Sequence, residues 1–208
     1  MSTLIIITGA SRGIGRAIAV AFAKESRIKN PAFCLIARNK DALSQTESLI
    51  KREIEDGNNC NNEGGREKQV RSSSHSIDLS KLDTLANEIK SVFRQQIEGD
   101  TNVDGNGNGN DNGNVITDPV SGYERAILIN NAGSLGHVGS SSDLPSPQEL
   151  QANVDFNVTS TIWLSSYFVK YFAHEHQIKC NVVNISSLCA ITPFKTMAMY
   201  CAGKAAVS

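Results

Sequence analysis

The sequence predicts an α/β protein in three layers, a doubly wound parallel sheet with helices on both faces. Short β-branched runs alternate along the chain with longer amphipathic stretches, which is typical of a parallel sheet covered by helices. The first run, residues 3–8, is almost wholly apolar, as expected of a strand buried on both faces. A glycine-rich turn follows that run directly and opens the first helical stretch.

The other elements are predicted in order from their periodicity and their boundary residues. Apolar residues at helical spacing indicate a helix after each of the first two strands, and Ser80 is a candidate cap for the third helix. Serines make the third strand a weaker one. The predicted strands are residues 3–8, 33–37, 70–77, 126–130 and 180–185. The predicted helices are residues 14–27, 41–55, 80–97, 147–174 and a last one from about residue 197 that still runs at residue 208.

Two polar segments, at about residues 56–68 and 99–122, interrupt this alternation. Both are rich in Asn and Gly and hold too little apolar surface to offset the entropy of ordering, so we expect flexible surface insertions. An acidic loop with a regulatory or a partner-binding role is the alternative interpretation of the second segment. The alternation resumes after each of them, which indicates one domain over residues 1–208.

Composition excludes several classes of function. The 208 residues carry 20 Lys and Arg against 21 Asp and Glu, which gives a formal net charge of -1. This charge is not typical of a protein that binds nucleic acids or membrane surfaces. The sequence shows neither a membrane-spanning stretch nor a signal peptide. Its 5 cysteines are scattered, so we expect free thiols and a cytoplasmic location. The four histidines form no convincing metal set. His137, which follows the segment at residues 130–133, is interpreted as a solvated loop residue, and a place at the border of the active site is the alternative.

The glycine turn has the chemistry of a phosphate site. Residues 8–15 read Thr-Gly-Ala-Ser-Arg-Gly-Ile-Gly, between a buried strand and a helix. Glycines allow a tight turn and a close approach of the ligand, and the helix N-terminus offers free N–H groups and partial positive charge. An ordinary turn would need only one of these features. The position of these glycines, directly after a buried strand and at the start of a helix, therefore favours nucleotide binding.

Three further motifs accompany this turn in a fixed order. Residues 130–133 read Asn-Asn-Ala-Gly, Ser187 follows the fifth strand, and Tyr200 and Lys204 share one face of the last helix. With the Gly-x-x-x-Gly-x-Gly spacing of the turn, this set resembles the short-chain dehydrogenase/reductase family. The resemblance implies a single-domain Rossmann-type fold and an oxidoreductase that interconverts C=O and CH–OH with a nicotinamide cofactor.

The resemblance implies that the cofactor is NADPH/NADP+ and indicates which residues contact it. No carboxylate ends the second strand, where a cofactor without a 2′-phosphate is usually held, whereas Arg38 and Arg12 suit a phosphate dianion. Asp78 and Leu79 match the family's contact to the adenine. The implied cofactor residues are Gly9, Ala10, Ser11, Arg12, Gly13, Ile14, Gly15, Arg38, Asn39, Asp78, Leu79, Asn131, Ala132, Gly133, Tyr200 and Lys204.

The implied catalytic residues are Ser187, Tyr200, Lys204 and Asn157, for which Asn153 is a nearby rival. A tyrosine has an ordinary pKa of about 10, and a neighbouring ammonium favours its phenolate and so eases proton exchange near neutral pH. A serine hydroxyl can donate to a carbonyl oxygen as charge develops on it. No metal is implied.

Residues 184–190 and 200–206 look like the branch of the family that reduces side-chain ketones of pterins with NADPH, on the way to tetrahydrobiopterin. The resemblance places Ser186, Ser187 and Tyr200 against the substrate carbonyl, and implies a homodimer. Family members continue with further strands and a substrate-covering segment, so we expect a C-terminally incomplete fold. The alternatives are a reductase of other dicarbonyls or alcohols, and a catalytically silent NADP-binding fragment.

Overall fold

A computed structural model of the chain describes residues 2–28, 30–60, 70–98 and 122–208. In these residues five parallel strands form one sheet in the order β3-β2-β1-β4-β5. The strands are β1 (Ser2–Thr8), β2 (Pro31–Ala37), β3 (Arg71–Ser76), β4 (Tyr123–Asn130) and β5 (Lys179–Asn184). The chain crosses from one side of β1 to the other between β3 and β4. The predicted doubly wound sheet is therefore confirmed, and ligands of such sheets bind where the strand order reverses, at the carboxyl ends of the strands.

Helices cover both faces of the sheet. They are α1 (Gly13–Lys24), α2 (Lys40–Cys60), α3 (Leu82–Glu98), α4 (Pro147–Val154), α5 (Ser160–Phe168) and α6 (Ala198–Ala206). Two π-helical segments, Asp155–Thr159 and Val169–Glu175, follow α4 and α5, and short 3-10 turns lie at Ser141–Asp143 and Leu188–Ala190.

The central strand β1 supplies both halves of the core by alternation. Ile5 and Ile7 are fully buried in a cluster with side chains of α1 and α2. Leu4 and Ile6 are fully buried in a second cluster on the opposite face, with side chains of α3 and α5. Because successive side chains of a strand point to opposite faces, one apolar run anchors helices on both sides of the sheet. The structure thus has the three predicted layers.

Several predicted boundaries were wrong. Helix α1 ends at Lys24 rather than at residue 27, because the N–H of Glu25 donates to the carbonyl of Phe22 in a tighter turn and Arg27 binds the Glu25 carboxylate. Helix α2 continues to Cys60, so residues 56–60 of the first predicted insertion are helical. The rest of that insertion, and residues 99–121 of the second, lie outside the described residues. Ser80 does not cap α3, since its hydroxyl donates to the Asp78 carboxylate.

The predicted single helix over residues 147–174 is interrupted by the two π-helical segments. Side-chain hydroxyls compete for main-chain carbonyls at the first of them: Ser160 donates to the carbonyl of Phe156, and Thr161 to that of Asn157. Such back-bonding loosens the regular helical ladder. The first π segment contains Asn157, and π segments often occur at functional sites.

Candidate active site

The turn after β1 is fastened to the end of β4. The buried Thr8 hydroxyl accepts hydrogen bonds from the N–H groups of Asn131 and Ala132, each 3.0 Å long. In return, the Asn131 side-chain amide donates to the carbonyls of Thr8 (3.0 Å) and Gly9 (3.2 Å). Gly9 has φ +66, and a Cβ there would lie 2.8 Å from the Asn131 amide nitrogen. Only glycine suits this position, and the neighbouring strand ends are tied together through Asn131.

The N-terminus of α1 is open. Arg12 is the extended N-cap residue, and no described side chain caps the helix there. Gly13 has φ +55, and no described atom outside its chain neighbours and its own helix backbone lies within 4 Å of where its Cβ would be. The first turn carries no acidic residue. Free N–H groups, the positive end of the helix dipole and open space together suit a bound phosphate group.

A cation and an anion flank the carboxyl ends of β2 and β3. Arg38 is exposed, with its guanidinium carbon 6.0 Å from the centroid of the Phe156 ring. Asp78 accepts hydrogen bonds from the main-chain N–H (3.1 Å) and the hydroxyl (2.7 Å) of Ser80. Partial burial opposes ionisation, but these hydrogen bonds and the charges of Arg38 and Lys81 outweigh it and lower the pKa of Asp78. Asn39 caps α2 by accepting from the N–H of Ala42 at 2.9 Å.

Asn157 clamps the loop that follows β4. Its side-chain oxygen accepts from the N–H of Ser134 (2.9 Å), and its amide donates to the carbonyl of Ser134 (3.0 Å). The same amide donates to the side-chain oxygen of Asn153 at 3.0 Å. Asn157 is buried, so these bonds satisfy a polar group that water does not reach. The two asparagines that were rivals in the sequence belong to one network.

Lys204 and Asn157 converge on Gly133. A Cβ on Gly133 would lie 3.5 Å from Nζ of Lys204 and 3.6 Å from Oδ1 of Asn157. The Lys204 ammonium donates to the carbonyl of Ile185 at 2.7 Å and lies 5.7 Å from the centroid of the half-buried Tyr200 ring. Lys204 is only 8% exposed, and burial lowers its pKa. The structure thus brings three predicted site residues, Gly133, Asn157 and Lys204, together beside Tyr200.

The hydroxyls of the two predicted site serines, Ser186 and Ser187, have different hydrogen-bond partners. The Ser187 hydroxyl accepts from the N–H of Cys189 at 3.2 Å and begins the 3-10 turn Leu188–Ala190, which packs against α6. The Ser186 hydroxyl instead lies 2.5 Å from the hydroxyl of Ser208. Ser187 therefore sits at a turn that packs against the helix carrying Tyr200, whereas Ser186 contacts the last residue of the chain.

A cleft of about 450 Å³ lies beside these residues, and sequence reasoning missed three of its lining residues, Glu149, Phe156 and Met199. Its lining includes Arg38, His137, Glu149, Asn153, Phe156 and Met199, and does not include Ser187, Tyr200 or Lys204. His137, for which the border of the active site was the alternative to a solvated loop position, lines this cleft and has a buried Nε2 with no described partner. Two features of the sequence could have indicated this lining. Residues 149, 153 and 156 share a helix face, and Met199 directly precedes Tyr200.

Two further searches cover the described ranges only. Within residues 2–28, 30–60, 70–98 and 122–208, no group of three His, Cys, Asp or Glu side chains could hold a metal ion. Nor does this part of the chain contain a helix that is both long and apolar enough to cross a membrane.

Comparisons with known proteins bear on the family and the fold of the chain. A family profile described as short chain dehydrogenase matches residues 120–208. Sepiapterin reductase of Bos taurus is 32% identical over 98% of this chain and 63% of its own length. Benzil reductase of Bacillus subtilis is 27% identical over 97% of this chain and 62% of its own length. The chain thus spans less than two thirds of these relatives.

Solved structures share the same fold. A metagenomic short-chain oxidoreductase in complex with NADP superposes with a TM-score of 0.68 at 25% identity, covering 99% of this chain and 71% of that one. A bulky-bulky ketone specific alcohol dehydrogenase from Comamonas testosteroni gives a TM-score of 0.67 at 25% identity, covering 98% of this chain and 62% of that one.

Proposed function

We propose, from the premise that this chain belongs to the short-chain dehydrogenase/reductase family, that it is an NADPH-dependent carbonyl reductase of the sepiapterin reductase type. The observation that carries the proposal is the convergence of Lys204, Asn157 and Gly133 next to Tyr200. NADPH, when bound, supplies the hydride that the carbonyl carbon receives. The residues of the chain hold the cofactor, orient the carbonyl and move the proton.

Cofactor binding rests on two groups of residues. Residues 9–15 present the start of α1 to the pyrophosphate, and Asn131, Ala132 and Gly133 border the cofactor where β4 ends. Arg12 and Arg38 are exposed cations, which suit the 2′-phosphate that distinguishes NADPH from NADH. Asn39, Asp78 and Leu79 complete the adenosine end of the site.

Proton transfer is assigned to Tyr200. Its hydroxyl gives a proton to the carbonyl oxygen of the substrate, while the Ser187 hydroxyl donates a hydrogen bond to the same oxygen. The Lys204 ammonium, held by the carbonyl of Ile185, stabilises the phenolate that remains. Asn157 keeps the loop after β4 in place around Lys204 and supports return of the proton through this network.

Two substrate classes compete. Similarity to sepiapterin reductases supports pterin side-chain ketones, with Ser186 and Ser187 near the carbonyl, and hence a step toward tetrahydrobiopterin. Similarity to a benzil reductase supports other dicarbonyls as the second candidate. A homodimer and a cytoplasmic location are further parts of the proposal. The four cysteines whose side chains are described are free thiols, which is consistent with that location.

The test is cofactor binding followed by turnover. Calorimetry should detect NADPH binding to the purified chain, and sepiapterin and benzil should be reduced with consumption of NADPH. Tyr200→Phe should lower kcat by about 10²–10⁴-fold, the range for loss of a general acid. Tyr167→Phe, which keeps a ring stacked on Trp163 and Phe93, is the matched control.

The outcomes separate the candidates. Absence of NADPH binding would reject the proposal. Binding without turnover of either ketone would identify a silent NADP-binding fragment, and preference for benzil would favour the second substrate class. A Tyr200→Phe variant with the activity of the wild type would show that Tyr200 is not the proton donor.

A further inference from the structure

A threonine of α2 holds the glycine turn from behind. Thr46 is fully buried, and its hydroxyl lies 3.0 Å from the carbonyl oxygen of Ala10. The same hydroxyl lies 3.1 Å from the carbonyl of Ala42, one turn earlier in α2, so its single proton serves these two acceptors. A polar atom of α2 therefore contacts the turn 36 residues away in the sequence.

Arg16 of α1 completes this arrangement. Its Nε donates to the Thr46 hydroxyl at 3.1 Å, and its Nη2 donates to the carbonyl of Ser11. Nη2 also lies 3.2 Å from the carbonyl of Ala42 and 3.3 Å from Oε1 of Gln45. The guanidinium is thus engaged with α2 and with the back of the turn.

These contacts fix which groups the turn can offer to an anion. A carbonyl oxygen carries partial negative charge and repels a phosphate, whereas an N–H group attracts it. Thr46 and Arg16 bind the carbonyls of Ala10 and Ser11, which directly precede Arg12 and the open start of α1. Holding those carbonyls toward α2 leaves the N–H groups at the start of α1 directed at the site.

Helix α2 also reaches the other end of the cofactor site. Asn39 caps its first turn, and Arg38 directly precedes that cap. One rigid helix therefore connects the residues suited to the 2′-phosphate with the residues that hold the pyrophosphate turn. A displacement of the turn relative to α2 would misplace one phosphate group when the other is bound.

We infer that Thr46 and Arg16 are positioning residues for the dinucleotide: they hold the carbonyls of the glycine turn against α2 so that the turn binds the pyrophosphate. The inference rests on the proposed NADPH binding. It predicts that loss of the Thr46 hydroxyl weakens ligands that use the turn, and spares ligands that bind only near Arg38.

The experiment compares two ligands in the full chain. NADPH spans the turn and the Arg38 end, whereas 2′-AMP carries the 2′-phosphate but no pyrophosphate. Thr46→Val keeps the shape of the side chain and removes the hydroxyl. It should raise the Kd of NADPH about tenfold by calorimetry, equivalent to about 1.4 kcal/mol, and leave the Kd of 2′-AMP within about twofold in an NMR titration. Thr46→Ser, which restores the hydroxyl, should return the NADPH Kd to within about threefold of the wild type.

Two further variants sharpen the test. Ser48→Ala removes an exposed hydroxyl of the same helix, which donates to the carbonyl of Ser44 one turn earlier, and should change neither ligand's Kd. Arg16→Met should raise the Kd of NADPH about as much as Thr46→Val does. The double variant should raise this Kd by less than the product of the two single fold-changes, because the two side chains act through one network.

Three results would overturn the inference. They are an NADPH Kd of Thr46→Val within twofold of the wild type, an equal weakening of NADPH and 2′-AMP, and a failure of Thr46→Ser to recover binding. Wild-type and Thr46→Val chains that bind NADPH with the same Kd would reject only the positioning role. Wild-type chain that binds no NADPH would reject the proposed function and the inference with it.

Discussion

Replacement of Thr8 by valine tests whether the joint between β1 and β4 stabilises the fold. The two side chains have nearly the same shape, so the substitution leaves packing intact and removes one hydroxyl. That hydroxyl accepts from the N–H groups of Asn131 and Ala132 and lies 3.4 Å from the carbonyl of Ile129. Valine offers no acceptor, so two main-chain donors lose their partner at once.

The magnitude follows from the surroundings of those donors. An unsatisfied buried donor costs about 1–3 kcal/mol, and the half-buried Asn131 and Ala132 belong at the lower end because water reaches them in part. Two such donors give a loss of about 2–3 kcal/mol in the free energy of unfolding. In a chain of about 200 residues this corresponds to a fall in Tm of about 5–10 °C.

Urea unfolding followed by circular dichroism gives the change directly, with calorimetry for Tm. Thr8→Ser retains the acceptor and should lose less than half as much. Thr84→Val is the matched control, because Thr84 is exposed and its hydroxyl donates to the carbonyl of Lys81, three residues earlier. A Thr8→Val variant within about 0.5 kcal/mol of the wild type, the range of neutral surface changes, would show that these hydrogen bonds do not hold the joint.

Burial of titratable side chains determines how stability depends on pH and how cysteines react with an alkylating reagent. Because burial lowers the pKa of Lys204, the unfolded chain binds more protons than the folded chain between that pKa and the ordinary lysine value of about 10.4. The stability of the wild type relative to Lys204→Met should therefore rise across that pH window in calorimetry, and a constant difference would contradict it. Burial raises the pKa of Cys34 to about 12 and that of Cys180 to about 11, so iodoacetamide near neutral pH should modify neither in the native chain and both in concentrated urea. Mass spectrometry that finds native Cys34 labelled would refute the second expectation.

Patterns local in sequence predicted the elements that dominate the fold. The apolar runs of β1 and β4 indicated buried strands, and the order strand, glycine turn, helix led directly to the start of α1. The i, i+4 spacing of Tyr200 and Lys204 also sufficed to place both on one helix. These features depend on residues within a few positions of one another, which a periodicity can report.

Helix ends and long-range polar contacts were beyond such patterns. The end of α1 depends on the carboxylate of Glu25, and the π segment around Asn157 on hydroxyls that bond backward along the helix. The contact of Thr46 with Ala10 joins residues 36 positions apart. A threonine inside a helix has no periodic signal that distinguishes a solvent-facing hydroxyl from one that holds a distant turn.

Buried polar side chains among the described residues concentrate at the carboxyl edge of the sheet, and this explains why the site and the fold are coupled. Five of the seven lie there: Thr8, Thr46, Asn130, Asn157 and Lys204. Asn130 donates to Ser165 of α5 (2.8 Å) and to Asn184 of β5 (2.9 Å). Asn184 in turn binds the carbonyl of Val207, just after the helix that carries Tyr200.

Each of these groups would be costly if left unpaired, and each is paired by a residue of a different element. The hydrogen bonds that make burial tolerable are therefore the same ones that set the distances between the glycine turn, the loop after β4 and α6. A variant that removes one partner should lower stability and misplace a site residue together. Stability and cofactor affinity should accordingly fall in parallel across substitutions at this edge, and independently for substitutions on the outer faces of α2 and α3.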